Sequence, residues 1–246
     1  MYLEAVTVCI DFSDYLKKCL ANKMLFDRWL IVTTAQDGKT IKLCEEAGLE
    51  YVVSQRIYED GAYFNKGKAI NEGLRKLEKQ DWILHVDADI KLPTNFRKVL
   101  ESASLNQDYL YMPKFRYIHA SLPFRRGYDP NDAYGYCQLF HSSRNLSYPE
   151  SSLHAAGSDR DFAAKFGWRF DPTKLKGNVD GALIQYLDMS CDHFGDVCVN
   201  WKGRKRGFEK WFQIVKHGIH VEMNKLKRKI KNLSSFWCFE KLQVHR

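Results

Sequence analysis

Two carboxylates one residue apart, Asp87 and Asp89, close the run Trp82-Ile83-Leu84-His85-Val86-Asp87-Ala88-Asp89. Acids placed this way can share a divalent cation, directly or through water. Hard oxygen ligands suit Mg²⁺ or Mn²⁺, and such an ion can bridge a diphosphate. A second stretch with chemistry in it is Asn65-Lys66-Gly67-Lys68-Ala69-Ile70-Asn71-Glu72-Gly73. Asn65 reads as a helix cap. The free N–H groups of a helix start, together with Lys66, suit an anion such as a diphosphate.

These residues need a frame to hold them. The apolar, β-branched and aromatic run before Asp87 reads as a buried strand, and a parallel strand presents ligands at its carboxyl end. Upstream, residues 5–10 read as a first strand ending at Asp11-Phe12-Ser13-Asp14. A helix over 15–26 follows, with Ser13 or Asp14 as its cap. Residues 29–34 form a second strand, ending in the turn 35–38. A short helix over 40–47 stops at Gly48, and residues 50–54 form a third strand. This βαβαβ alternation predicts a parallel sheet with right-handed crossovers, a nucleotide-binding half. The helix opened by Asn65 is expected to run to about residue 79. A helix over 94–102 and strands over 109–113 and 136–141 follow, with an aromatic- and Arg-rich loop around Phe115-Arg116-Tyr117 and Phe124-Arg125-Arg126-Gly127-Tyr128. That region could stack a sugar or a base.

Composition bounds the rest. The chain has 246 residues, 45% apolar, enough for one large α/β domain with an appendage. No apolar run of about 18 residues is present, so no transmembrane helix is expected. The start, Met1-Tyr2-Leu3-Glu4, lacks the basic and apolar regions of a signal peptide. Seven cysteines without paired spacing argue for free thiols in a reducing compartment, the cytoplasm. No Cys-X-X-Cys occurs, so zinc is not expected. The net charge of +8 is local: residues 202–231 hold 11 Lys and Arg against 2 Glu. An apolar stripe of Ile219, Met223, Leu226, Ile230 and Leu233 runs through 208–233. Its basic flank fits a solvated face, a nucleic acid or the surface of an anionic membrane.

The order of these parts carries a resemblance. A three-strand nucleotide half, then Asn-Lys-Gly-Lys-Ala-Ile-Asn-Glu-Gly, then a strand closing on Asp-Ala-Asp, resembles the GT-A fold glycosyltransferases. It is closest to family 2, in the small soluble form found in phages and other viruses, and the resemblance spans roughly residues 4–204. It implies an α/β fold with a mostly parallel, Rossmann-like sheet flanked by helices. The GT-A domain would cover 1–205 (nucleotide-sugar half 1–90, acceptor half 91–205), followed by a basic amphipathic helical extension over 206–246. By position, Asp11, Ser13, Thr33 and Asp37 would hold base and ribose. Asn65, Lys66 and Asp87 would contact the donor, most simply a UDP-sugar. Asp87 and Asp89 would hold Mn²⁺ or Mg²⁺ on its diphosphate, with His193 as a further ligand. Gly157-Ser158-Asp159-Arg160-Asp161 matches the family's second acidic motif, with Asp159 in the place of the base. Ser158 stands where the family usually has Glu. Asp161 is the alternative base, and an N-cap is the alternative role for Asp159.

The reaction implied is inverting transfer of a hexosyl or pentosyl group to an acceptor hydroxyl. Acceptors compatible with the basic C-terminal region are modified bases of phage DNA, a capsid or surface glycan, or a lipid-linked sugar. A non-catalytic nucleotide-sugar-binding protein would share the same residues. A dinucleotide cofactor is not indicated, because no Gly-X-Gly-X-X-Gly follows the first strand, and no phosphate-binding Walker loop is present. A nucleotidyltransferase would carry a Gly-rich loop at Asp11-Phe12-Ser13. An Asp-X-Asp-X-Thr phosphatase would carry Thr where Lys91 stands.

Overall fold

A computed structural model describes residues 1–119, 124–126, 133, 135–155, 157–171, 176–178, 181–195 and 202–204. All of these belong to one compact unit, Met1–Val197 with Trp201–Arg204. The expected extension over 206–246, with its helix over 208–233, lies outside the described residues, as do Gly127 and Tyr128.

The first three strands form as their pattern dictates. Strand β1 (Leu3–Val8) is buried at every position, as a central strand with both faces covered must be. Helix α1 (Ser13–Lys18), β2 (Arg28–Thr33), α2 (Gly38–Ala47) and β3 (Glu50–Val53) follow. Both β1–β2 and β2–β3 pair in parallel. Asp37 caps α2 by accepting from the Thr40 N–H, and Gly48 ends it in the left-handed conformation at φ 58°.

Helix α3 (Lys66–Leu74) leads into β4 (Trp82–Val86), which pairs in parallel with β1 on the side away from β2. The chain direction across the sheet therefore reverses between β1 and β4, where open α/β sheets bind ligands. Gly73 lets α3 lie close on the sheet: a Cβ there would stand 2.7 Å from a Val6 methyl. Along β4, Trp82, Leu84 and Val86 join the core beneath α1 and α2, whereas Ile83 joins the core beneath α3. By the two-residue period of a strand, His85 and Asp87 face the α3 side.

The second half adds β5 (Ile90–Lys91), α4 (Phe96–Ser102), β6 (Leu110–Ile118), β7 (Phe124–Arg126), β8 (Cys137–His141), α5 (Ser158–Ala164), β9 (Arg169–Asp171), β10 (Lys176–Asn178) and β11 (Ile184–His193). The main sheet runs β3-β2-β1-β4-β8-β6-β11-β5, with β7 on β6. It is mixed, because β8 lies antiparallel to β4. It also curls. β5 follows β4 directly in the chain yet pairs with the end of β11, His193 opposite Ile90, which carries His193 to the acids after β4.

Several boundaries differ from the sequence expectation. The helix expected over 15–26 is α1 followed by a 3₁₀ segment, Leu20–Leu25. The cause is Asn22, 1% exposed. Its amide donates to the Ile90 carbonyl at 2.8 Å and accepts from the Leu92 N–H at 2.9 Å. Neither Ser13 nor Asp14 caps α1; the N-cap is Phe12, without a side-chain bond, and Asp14 pairs with Arg204. Helix α3 stops at Leu74 rather than near residue 79, because the buried Glu4 carboxylate accepts the N–H groups of Glu78 and Lys79 at 2.8 and 2.6 Å. The stretch Phe115-Arg116-Tyr117, expected as loop, is strand β6, with the backbone of 124–126 paired on it.

Asn22 thus holds β5, and with it the turn that carries Asp89. Asn22→Ala leaves a buried carbonyl and N–H without partners. It is expected to lower the unfolding free energy by about 2–3 kcal/mol, read as a lower denaturant midpoint at unchanged slope.

Candidate active site

The turn after β4 places both acids. The Asp87 N–H donates to the Tyr136 carbonyl at 2.9 Å, and the Ile90 N–H donates back to the Asp87 carbonyl at 3.1 Å. The Asp89 carbonyl accepts from the Phe194 N–H at 2.9 Å, so β11's exit is tied to the same turn. Lys66, the first residue of α3, extends its ammonium to 2.5 Å from Asp87 Oδ1. Asn65 caps the helix, accepting from the Lys68 N–H at 3.0 Å while its amide donates to the Glu150 carbonyl at 2.7 Å. Both ends of the Asn65 side chain are thereby engaged in fixing where Lys66 starts.

Asp159 stands on the first turn of α5. The cap of that helix is Gly157, at φ 96°, and no side chain caps it, so Asp159 is not the N-cap. Its carboxylate instead lies against Gly135, where a Cβ would come within 1.8 Å of Oδ2. A Cβ at Gly195 would come within 1.8 Å of Asp89 Oδ2. Each of these two acids is seated on a glycine backbone that leaves it room. Asp161, the alternative, is exposed to solvent.

The electrostatics follow from one cation among three acids. Burial works against the Lys66 charge, but Asp87, Asp159 and Asp89 outweigh it and hold the ammonium above its usual range. Burial pushes the Asp159 carboxyl up, against the pull of Lys66. Burial, joined by the Asp89 charge, also pushes Asp87 up, against Lys66. Burial works upward on Asp89 too, but His193 and then Lys66 win and hold it below the usual carboxylate range. Three carboxylates face one lysine and one histidine, so the cluster remains acidic enough to favour a cation.

His193, at the end of β11, sets Nε2 3.2 Å from Asp89 Oδ2. Two ligands at right angles on an ion with bonds of about 2.1 Å would stand about 3.0 Å apart, so this pair has the spacing of neighbouring ligands of Mg²⁺ or Mn²⁺. Among the described residues, no three His, Cys, Asp or Glu side chains converge on one point. Asp89 and His193 would give such an ion two protein ligands, a number that suits a cation keeping waters and taking substrate phosphates. Behind His193, Arg116 Nη1 lies 3.4 Å from Nδ1, and the guanidinium stacks on Tyr136 at 4.7 Å.

The base- and ribose-site candidates lie at the same sheet edge, at the ends of β1 and β2. Asp11, at φ 61°, donates its N–H to Asp37 Oδ2 at 2.7 Å. Asp37 also accepts from the Thr40 N–H and hydroxyl at 3.2 and 2.6 Å, so its carboxylate organises the loop. Thr33 is fully buried, and its hydroxyl has no partner among the described residues. Ser13 opens α1, half-buried. Arg204 reaches this edge, donating to the Asp11 carbonyl at 2.6 Å and lying over the rings of Phe12 and Tyr15 at 5.0 and 4.5 Å.

Sequence reading missed several contributors. Gly135, Gly195 and Arg204 depend on the curl of the sheet and carry no local signal, while Arg116 was read as part of a stacking loop and not as a neighbour of His193. His85 did carry one: an imidazole inside an apolar strand two residues before Asp87. Burial, and next the charge of Lys66, holds it neutral, well below the usual imidazole range. Asn71, inside the α3 motif, clips the segment after β8 by accepting from the Tyr148 N–H at 2.7 Å and donating to its carbonyl at 2.8 Å.

No protein-family model matches the chain, and no curated protein matches it. Solved structures do. A mannosyltransferase from Pyrobaculum calidifontis, solved with GDP-Man and Mn²⁺, superposes with a TM-score of 0.54 at 13% identity, over 92% of this chain and 64% of its own. The present chain therefore spans less than two thirds of that enzyme. A glucosyl-3-phosphoglycerate synthase from Mycobacterium tuberculosis, solved with Mn²⁺, UDP and glucosyl-3-phosphoglycerate, gives 0.52 at 11% identity over 85% of this chain and 74% of its own. At such identities the likeness concerns the backbone, and it agrees with the sheet order above: the chain has the GT-A fold.

Proposed function

We propose that this protein is a metal-dependent, inverting glycosyltransferase that uses a nucleotide-sugar donor. The observation that carries the reading is the cluster itself: Lys66 among Asp87, Asp89 and Asp159, at the sheet edge where β1 and β4 diverge. Structures of the same fold bound to GDP-Man or UDP with Mn²⁺ support it. The resemblance to small viral and phage forms rests on the sequence motifs.

Asp89 and His193 would hold Mn²⁺ or Mg²⁺, with Asp87 reaching it through water or meeting the ribose. When bound, the ion offsets the charge that develops on the departing nucleoside diphosphate. Lys66 adds its ammonium to the same phosphates. Asp11, Ser13, Thr33 and Asp37 shape the seat for base and ribose, and Asn65 fixes Lys66. Asp159 accepts the proton of the acceptor hydroxyl as its oxygen bonds to the anomeric carbon and the bond to the diphosphate breaks. A single displacement inverts that carbon.

The acceptor reading is a hydroxyl on a polyanion, such as a modified base of phage DNA. Its support is the surplus of basic residues over 202–231. A thermal-shift series with UDP-, GDP- and dTDP-sugars, with and without Mn²⁺, tests the donor. One nucleotide class should raise the unfolding temperature, and only with the metal; at 100 times Kd the gain is about 2.7 kcal/mol. No stabilisation by any donor overturns the reading. In the same series, duplex DNA should bind more weakly as salt rises, and salt-insensitive binding removes the polyanion acceptor.

A further inference from the structure

His85 is 1% exposed, and neither of its ring nitrogens has a hydrogen-bond partner among the described residues. Its Nε2 lies 3.4 Å from Asp87 Oδ1 but is not aligned to donate to it. That oxygen is held instead by the Lys66 ammonium at 2.5 Å. The ring packs edge-on against Tyr148, centroids 5.4 Å apart. A buried polar group without a partner is costly, and each one that a native interior keeps calls for an explanation.

Among the described residues, the side chains of Lys66 and His85 lie beside the Asp87 carboxylate, and of these two Lys66 is bonded to it. An ammonium shared with a diphosphate has to give up part of its hold on Asp87. The carboxylate, 30% exposed on its open side, would then be short of a donor on its inner side, with the imidazole beside it.

We propose that His85 is a positioning residue that donates its Nε2–H to Asp87 when a nucleoside diphosphate draws Lys66 away, holding the carboxylate in place in the loaded site. This rests on the donor-binding reading above. In the resting protein the imidazole contributes packing but no hydrogen bond among the described residues; its hydrogen bond belongs to the bound state. Outer partners of ligand-holding groups are commonly worth 10- to 100-fold in affinity.

The test uses the full chain with UDP and Mn²⁺, and GDP in parallel, measured by titration calorimetry. His85→Phe, which keeps a ring and removes the donor, should unfold without ligand at or above the wild-type temperature. It should bind the nucleotide–Mn²⁺ pair about tenfold more weakly. His85→Gln, which restores an N–H near the position of Nε2, should recover most of that loss. A merely structural histidine gives the reverse pattern: lower stability in His85→Phe and unchanged affinity. Unchanged affinity in His85→Phe overturns the proposal, as does equal weakening in His85→Gln.

A measurement on the wild type covers the case in which His85→Phe does not fold. With diamagnetic Mg²⁺ in place of Mn²⁺, the His85 Nε2–H resonance should move downfield as UDP saturates the site. A resonance that stays put at saturation overturns the proposal. If wild type binds neither nucleotide with metal, the donor-binding reading itself fails, and this shows before any variant is made.

Discussion

Asp89→Ala is expected to abolish metal-dependent binding of the donor and to lower kcat/KM by about a thousandfold or more, about 4 kcal/mol of transition-state stabilisation. Asp89 is the one of the three acids whose carboxyl the site holds below the usual range. His193 and Lys66 do this despite burial, so at neutral pH it is a full negative charge ready for a cation. Its backbone is fixed through the Phe194 N–H, and Gly195 leaves room beside its carboxylate. Removing it leaves His193 without its partner and takes away one of the two protein ligands. Asp89→Asn keeps shape and one oxygen but loses the charge, so it should fail nearly as badly. Titration of Mn²⁺ in the presence of UDP, followed by calorimetry or electron paramagnetic resonance, reads the loss directly. Near wild-type Mn²⁺ affinity in Asp89→Ala would place the ion elsewhere and remove the assignment.

Much of this was legible from residue order because the responsible physics is local. The strands before Asp11, Thr33 and Asp87 are buried apolar runs. Asp37 and Asn65 cap their helices through bonds to residues three positions on, and Gly48 ends α2 with the turn only glycine adopts freely. What failed has distant partners. Asp14 does not cap α1 because Arg204, 190 residues away, takes its carboxylate. The first helix changes form at Asn22 because that amide bonds a strand 68 residues on. Helix α3 ends early because Glu4, 74 residues back, captures the N–H of Glu78. The site divides in the same way. Lys66 and the Asp-X-Asp pair could be read as an anion and cation seat from their own neighbourhoods. His193 and Asp159 entered through a family resemblance alone, since only the curl of the sheet and the start of α5 bring them to Asp89 and Lys66.

Asp159→Asn should separate chemistry from binding. Asparagine keeps the volume beside Gly135 but cannot accept a proton, so donor affinity should stay near wild type while kcat falls about a thousandfold, within the usual range for a general base. The pH profile adds a second signature. Burial raises the Asp159 pKa above that of an ordinary aspartate. A base must be unprotonated, so activity falls as pH drops through that raised pKa. The acid limb should sit above the usual value of about 3.9 and should disappear from the residual rate of the Asn variant. The stability contribution runs the other way. A carboxyl whose folded pKa is raised is easier to protonate in the folded chain than in the unfolded one. Its contribution to stability is fully present below the unfolded pKa and is lost as pH rises through the folded one. At neutral pH the ionised acid is therefore a burden on the fold, and the Asn variant should keep or raise the unfolding temperature while losing turnover. An Asp159→Asn protein that turns over normally, or that loses donor affinity in step with kcat, would assign the proton to another group, and Asp161 on the same helical turn would be the next to replace.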